Sequence, residues 1–276
     1  MSARETAAVR DTVAIDAYAP REIARKVEEL GVAKTRTSTL TLLALSIIAG
    51  AFISLGALFF TVMVTGSQLG FGVTRLLGGL SFSLGLILVV VGGAELFTGN
   101  ILMAMAWASR LIGTRDVVRN WVLVYLGNVI GSVATVALVV WGGIAKLSDG
   151  AVGETALRIA ATKVALPWSE AFARGILCNA LVCLAVWLAM GGRSVTDKIM
   201  AIVFPITAFV AIGSEHSIAN WFFLPYGLML DSAHTLPMAG VVRNLVAVTA
   251  GNLLGGTLLV AGVYWIAYLR GDHRKG

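Results

Sequence analysis

Apolar residues run along this chain in six long blocks, and two blocks are broken near their middle by glycine, a carboxylate and small polar side chains. The blocks span 40–74, with the helix expected to stop near Thr65, then 76–109, 120–145, 175–192, 199–230 and 244–269. About 20 apolar residues cross a bilayer as helix, so the pattern predicts six transmembrane helices and an all-α membrane protein. The second block holds 34 residues, roughly 51 Å of helix, too long for one straight crossing. Its interruption reads Gly93-Ala94-Glu95-Leu96-Phe97-Thr98-Gly99-Asn100, and the fifth block is interrupted by Gly213-Ser214-Glu215-His216-Ser217-Ile218-Ala219-Asn220. Broken helices at corresponding places in two halves point to a transport site.

The halves also match residue by residue. The segments 119–141 and 243–265 align at an offset of 124 with 11 identities in 23 positions, including Arg119-Asn120 with Arg243-Asn244, Gly127-Asn128 with Gly251-Asn252, and Trp141 with Trp265. Each half carries three spans. An odd number reverses the chain, so the repeats, about 40–146 and 167–269, are expected to lie inverted in the membrane. They make up a transmembrane domain over 39–270, between an N-terminal arm at 1–38 and a tail at 271–276. In the arm, Pro20 suits a first helical turn, Gly31 a C-terminal cap, and Ile23, Val27 and Leu30 form an apolar stripe. That segment reads as a helix lying at the cytoplasmic interface, or as a lid over a pore mouth.

Composition agrees. Of 276 residues 58% are hydrophobic and 13% charged, against about 25% charged in soluble domains. The net charge of +6 comes from residues that flank apolar runs and form no patch for nucleic acid. Lysine and arginine number fifteen on the side that receives the arm, Arg110, Arg115, Arg119, Arg193, Lys198 and the tail, against six on the other. Both termini are therefore expected in the cytoplasm. The first apolar block is too long for a signal-peptide core. Cys178 and Cys183 lie five apart in one block and read as small hydrophobes without a disulfide. His234 and His273 read as no ligands, no spacing suggests a metal, and no phosphate loop supports ATP-driven pumping.

The two interruptions resemble the signature loops of the formate/nitrite transporter family, Gly93 to Thr98 the first and Glu215 to Asn220 the second. Cys183-Leu184-Ala185-Val186-Trp187, and Gly192-Arg193-Ser194 through Asp197-Lys198, are similar to its formate-channel branch. The resemblance runs from about Tyr18 to Arg270. It implies an aquaporin-like fold with the second and fifth helices broken, and a homopentamer in the inner membrane with one pore per protomer. It also implies passage of formate or similar small monovalent anions, with protons, and no cofactor. By motif position it places the central histidine at His216, the loop threonine at Thr98 and a vestibule lysine at Lys163. Paired asparagines fall at Asn179 and Asn220, a sixth-span asparagine at Asn252, and constriction residues at Phe82, Leu86, Phe97, Val182 and Phe209. Asn100 and the short segment 231–240 depart from the family pattern.

The residues carry a consistent chemistry. A bare anion in an apolar constriction meets an idealised cost of order 20 kcal/mol, which a weak acid avoids by crossing neutral. Lys163 would gather the anion, or is an ordinary interfacial lysine in a connector. His216 changes charge near neutrality and is the candidate donor or relay, against the alternative of a structural histidine. Glu95 and Glu215 would repel an anion, so they are expected to accept hydrogen bonds from backbone N–H groups freed at the helix breaks. Thr98 can donate to or accept from substrate, and the phenylalanines would form dry collars. Nitrite or hydrosulfide stays open as cargo. A water or glycerol channel would place Asn-Pro-Ala at the breaks, where no proline occurs. For an intramembrane hydrolase the nearest serine elbow, Gly79-Leu80-Ser81-Phe82-Ser83, lacks its second glycine.

Overall fold

The computed structural model describes residues 17–271. Of the expected arm only 17–38 falls within the described residues, and of the tail only Gly271; His273 lies outside them. Among the described residues ten helices longer than a single 3₁₀ turn follow one another: α1 Pro20–Thr35, α2 Thr39–Val64, α3 Gly70–Gly92, α4 Phe97–Ala108, α5 Thr114–Trp141, α6 Ala151–Ala165, α7 Trp168–Gly191, α8 Val195–Ala211, α9 Ser217–Leu230 and α10 Met238–Leu269. The described residues contain no strand. Five helices, α2, α3, α5, α7 and α10, are long and apolar enough to cross a membrane. α4 tightens to 3₁₀ geometry over Ile101–Met103, and α10 widens to π geometry over Gly255–Gly262 and Trp265–Leu269.

Helix starts follow local chemistry. Ser38 Oγ accepts the Thr41 N–H at the head of α2. At α8 a capping box forms, with Ser194 Oγ accepting from Asp197 N and Asp197 Oδ2 accepting from Ser194 N, which satisfies two donors that the first turn leaves orphaned. The breaks are set by glycine. Gly93 and Gly213 have φ of 79° and 75°, a left-handed conformation that costs other residues roughly 1–2 kcal/mol. At each, the following N–H groups fold back on the carbonyls of the helix just ended: Ala94 N to Val89 O at 2.9 Å, Ser214 N to Phe209 O at 3.0 Å. That pattern closes a helix and re-aims the chain.

The core is a bundle in which α2 packs on α3 and α5, α8 on α3 and α7, and α7 on α10. Close approach depends on the glycines of the aligned repeat. A Cβ on Gly131 would stand 1.9 Å from Ile47 O, and one on Gly255 2.2 Å from Ile176 O, so no side chain fits at either crossing.

Several expected boundaries shift. The helices run past the uncharged blocks and take in charged residues: α3 begins at Gly70 and includes Arg75, and α7 begins at Trp168 and includes Glu170 and Arg174. Long cationic side chains at helix ends can reach polar partners while their backbone stays in apolar surroundings. Gly31 does not end α1. It is buried in mid-helix, where a Cβ would lie 3.1 Å from that of Ala106, so its small size serves the contact with α4. The connector carrying Lys163 is itself a helix, α6.

Candidate functional site

Each helix break is clamped by one asparagine and one glutamate, with the same bonds in both halves. In the first, the Phe97 N–H donates to Asn128 Oδ1 at 2.9 Å, while Asn128 Nδ2 donates to Ser46 O at 2.7 Å and Glu95 O at 2.9 Å. In the second, the Ser217 N–H donates to Asn252 Oδ1 at 2.9 Å, while Asn252 Nδ2 donates to Gly175 O at 2.8 Å and Glu215 O at 3.0 Å. The loop N–H groups of Glu95 and Glu215 reach Leu45 O and Arg174 O, both at 3.2 Å. A backbone break buried in apolar surroundings must be satisfied internally, and Asn128 and Asn252, both fully buried, do most of that.

The glutamates therefore do not accept from freed backbone N–H groups, as the sequence had led us to expect. Their carboxylates receive side chains. Glu95 accepts Lys34 Nζ at 2.5 Å and Asn100 Nδ2 at 2.6 Å, and Asn100 Nδ2 also donates to Asn120 Oδ1 at 2.9 Å. Glu215 accepts Lys163 Nζ at 2.9 Å and Asn220 Nδ2 at 2.7 Å, and Asn220 Nδ2 also donates to Asn244 Oδ1 at 2.7 Å. A carboxylate serves better here than at the backbone because a buried lysine needs an opposite charge.

Between these matched clamps the loops differ. Where the first has Leu96 and Thr98, the second has His216 and Ile218. Thr98 Oγ1 lies 2.9 Å from His216 Nε2, with both residues buried. The ring's other nitrogen, Nδ1, accepts the Ala219 N–H at 3.0 Å and caps α9. That bond fixes the tautomer: a neutral ring with Nδ1 as acceptor carries its proton on Nε2. Nε2–H then donates to Thr98 Oγ1, leaving the threonine hydroxyl a proton to give. The pair thus presents one free donor at a buried point, the Thr98 hydroxyl, whose oxygen the histidine holds in place.

Two cavities approach the pair from opposite ends of α3; His216 lines the first, and Thr98 lines neither. One, of about 220 Å³, is lined by Arg75, Phe82, Lys163, Arg174, Phe209 and His216 among others. The second, of about 200 Å³, is lined by Lys34, Leu86, Glu95, Leu96, Val186 and Met190 among others. Phe82 and Leu86 are one turn apart, so the wall between the cavities is about 6 Å thick along α3. Phe82 and Phe209 meet edge to face at 5.3 Å between centroids, and Phe209 lies over the His216 ring at 6.1 Å. On α7, Asn179, Val182 and Cys183 fall between Arg174 of the first cavity and Val186 of the second, and all three are buried. Cys183 Sγ donates to Thr98 O at 3.4 Å.

Not every expected residue falls here. Phe97 lines neither cavity. Its ring packs edge to face on Tyr125 at 4.9 Å and lines an apolar groove with Trp121, Leu126 and Leu253, because adjacent side chains at a helix start point to different sides. Its neighbour Leu96 takes the expected position. Asn179 and Asn220 do not bond to each other: Asn179 Nδ2 donates to Asn252 O at 2.8 Å, and Asn220 pairs with Asn244. Asn252 is a clamp whose polar groups face backbone. Sequence reasoning missed Lys34, Leu96, Asn120, Asn128 and Asn244. The asparagines stood in the repeat alignment as conspicuous matches; Lys34 carried no local signal, being 61 residues from its partner. Ser81 Oγ, of the serine-elbow approximation, donates to Leu77 O inside α3. Among the described residues no group of three or more His, Cys, Asp or Glu side chains is placed to hold a metal.

A family model described as formate/nitrite transporter matches residues 21–266. The formate channel FocA of Escherichia coli strain K12 is 40% identical over 94% of this chain and 97% of its own length. A probable formate transporter of Methanothermobacter thermautotrophicus is 37% identical over 91% and 97%. Among solved structures, a pentameric formate channel with formate bound superposes with a TM-score of 0.79 at 39% identity, covering 84% of this chain and 98% of that one. An FNT family ion channel gives 0.82 at 31%, covering 89% and 98%. The chain belongs to the formate/nitrite transporter family.

Proposed function

We propose that this chain moves formate across the inner membrane, with both termini in the cytoplasm and one path through each protomer of a homopentamer. The observation that carries the reading is the Thr98–His216 pair, 2.9 Å apart and buried, where cavities from opposite ends of α3 come within one turn of each other. In this reading α3 with α4, and α8 with α9, are the broken second and fifth of six crossings, and the halves are inverted repeats. The bond-for-bond match of their asparagine and glutamate clamps supports that.

Lys163 draws the anion into the first cavity, held there by Glu215 and raising the local anion concentration. The wall of Phe82, Phe209, Leu86, Leu96 and Val182 excludes hydrated ions. A carboxylate reaching that wall accepts from the Thr98 hydroxyl, a donor aimed by the His216 Nε2–H on its oxygen, which replaces part of the anion's water shell. Passage is completed as the neutral acid, the anion taking a proton from water in the first cavity and returning it to water in the second, which avoids the cost of a bare charge between apolar rings. In the second cavity Lys34 waits beside Glu95 to receive the anion again.

Reconstituted protein in liposomes tests this: influx of formate, nitrite and hydrosulfide is followed at equal gradients. Formate should pass well above protein-free liposomes; a protein that passes nitrite or hydrosulfide and leaves formate out overturns the assignment.

A further inference from the structure

The two cavities are charged differently. The second sets one lysine against one carboxylate, Lys34 and Glu95. The first is lined by three cations, Arg75, Lys163 and Arg174, against the single carboxylate Glu215, and Lys163 already takes that carboxylate. We infer that Arg75 and Arg174 form a separate oxyanion-binding site at the mouth of the first cavity, ahead of Lys163, for a small carboxylate.

The geometry is specific. Arg75 on α3 is anchored by Nε to Ala211 O at 3.2 Å and by Nη2 to Val210 O, the open carbonyls at the end of α8. Among the described residues no carboxylate forms an ion pair with it. Arg174, on α7, shares only an exposed 3.2 Å contact with Glu170. The two guanidinium groups converge on Gly213: a Cβ there would stand 3.5 Å from Arg75 Nη2 and 4.0 Å from Arg174 Nη1. The glycine that turns the chain thus also keeps the space between the two head groups open. Beside it, Ser214 lines the same cavity with a buried hydroxyl that has no partner. Two like charges held close by separate helices repel until an anion sits between them, and guanidinium forks match carboxylate oxygens.

This inference rests on the formate reading but is tested separately from it. Full-length protein in lipid nanodiscs is titrated with oxalate by calorimetry at low ionic strength, where surface charge is least screened. Arg174→Gln should weaken oxalate binding at least fivefold. Arg75→Gln should do the same; because Arg75 also ties α8, Arg174→Gln decides if that variant does not fold. Arg243→Gln, which loses a bond to Val164 O outside the cavity lining, should leave affinity unchanged. In proteoliposomes Arg174→Gln should raise half-saturating formate at least threefold with maximal flux retained. Oxalate affinity unchanged in Arg174→Gln, or a fall in maximal flux at unchanged half-saturation, overturns the site. Oxalate binding that depends on Arg174 without any formate flux upholds the site and removes the formate reading.

Discussion

Thr98 and His216 meet at 2.9 Å across the gap between two broken helices, each from a different break. The histidine's other nitrogen is committed to the Ala219 N–H, so the ring faces threonine with a donor. Thr98→Val keeps shape and removes the hydroxyl. Formate flux in proteoliposomes should fall at least tenfold, about 1.4 kcal/mol of barrier, with thermal stability nearly unchanged.

His216→Ala removes the donor and a helix cap together. Cap loss should cost about 1 kcal/mol of stability, read as a modest drop in melting temperature in detergent. The pH dependence of formate flux should be altered, because the ring that orients the Thr98 hydroxyl is gone. A variant with the wild-type profile removes the histidine from proton handling.

Asn252→Leu strands the Ser217 N–H and the Gly175 and Glu215 carbonyls. Each unsatisfied buried group costs about 1–3 kcal/mol, so the variant should fail to assemble, seen as aggregation in size-exclusion chromatography. Asn128→Leu strands the equivalent groups and should fail alike. Asn179→Leu, which loses one donated bond, should fold.

Glu215→Gln leaves Lys163 a buried charge without its partner, and breaking such a pair costs about 3–5 kcal/mol. Glu95→Gln should do less harm, because Lys34 has 26% of its side chain exposed against 12% for Lys163. Thermal melts of the two variants should keep that order. A well-assembled Glu95→Gln with altered anion preference would contradict the structural role.

Much of this was legible beforehand because lipid leaves few choices. Apolar runs of fixed length become helices, and the excess length of 76–109 required a break. The Gly-Asn and Arg-Asn matches between halves marked the residues that clamp the breaks, though not their partners. Those lie far apart in sequence, as with Lys34 and Glu95, and only the packed chain brings them together. Phe97 was misplaced for a different reason: motif position fixes where a residue sits along the chain, and side-chain direction at a helix start decides which wall it faces. Arg75 and Arg174 bound apolar runs in the sequence, and the helices that extend through them carry both into the cavity.

The most direct test follows formate entry into proteoliposomes loaded with a pH-sensitive dye, comparing wild type with Thr98→Val under an inward formate gradient. The account predicts rapid formate entry with acidification of the interior by wild type, and loss of both in the variant. Equal entry by the two proteins, or entry of formate with no change in internal pH, contradicts passage of a protonated acid between Thr98 and His216.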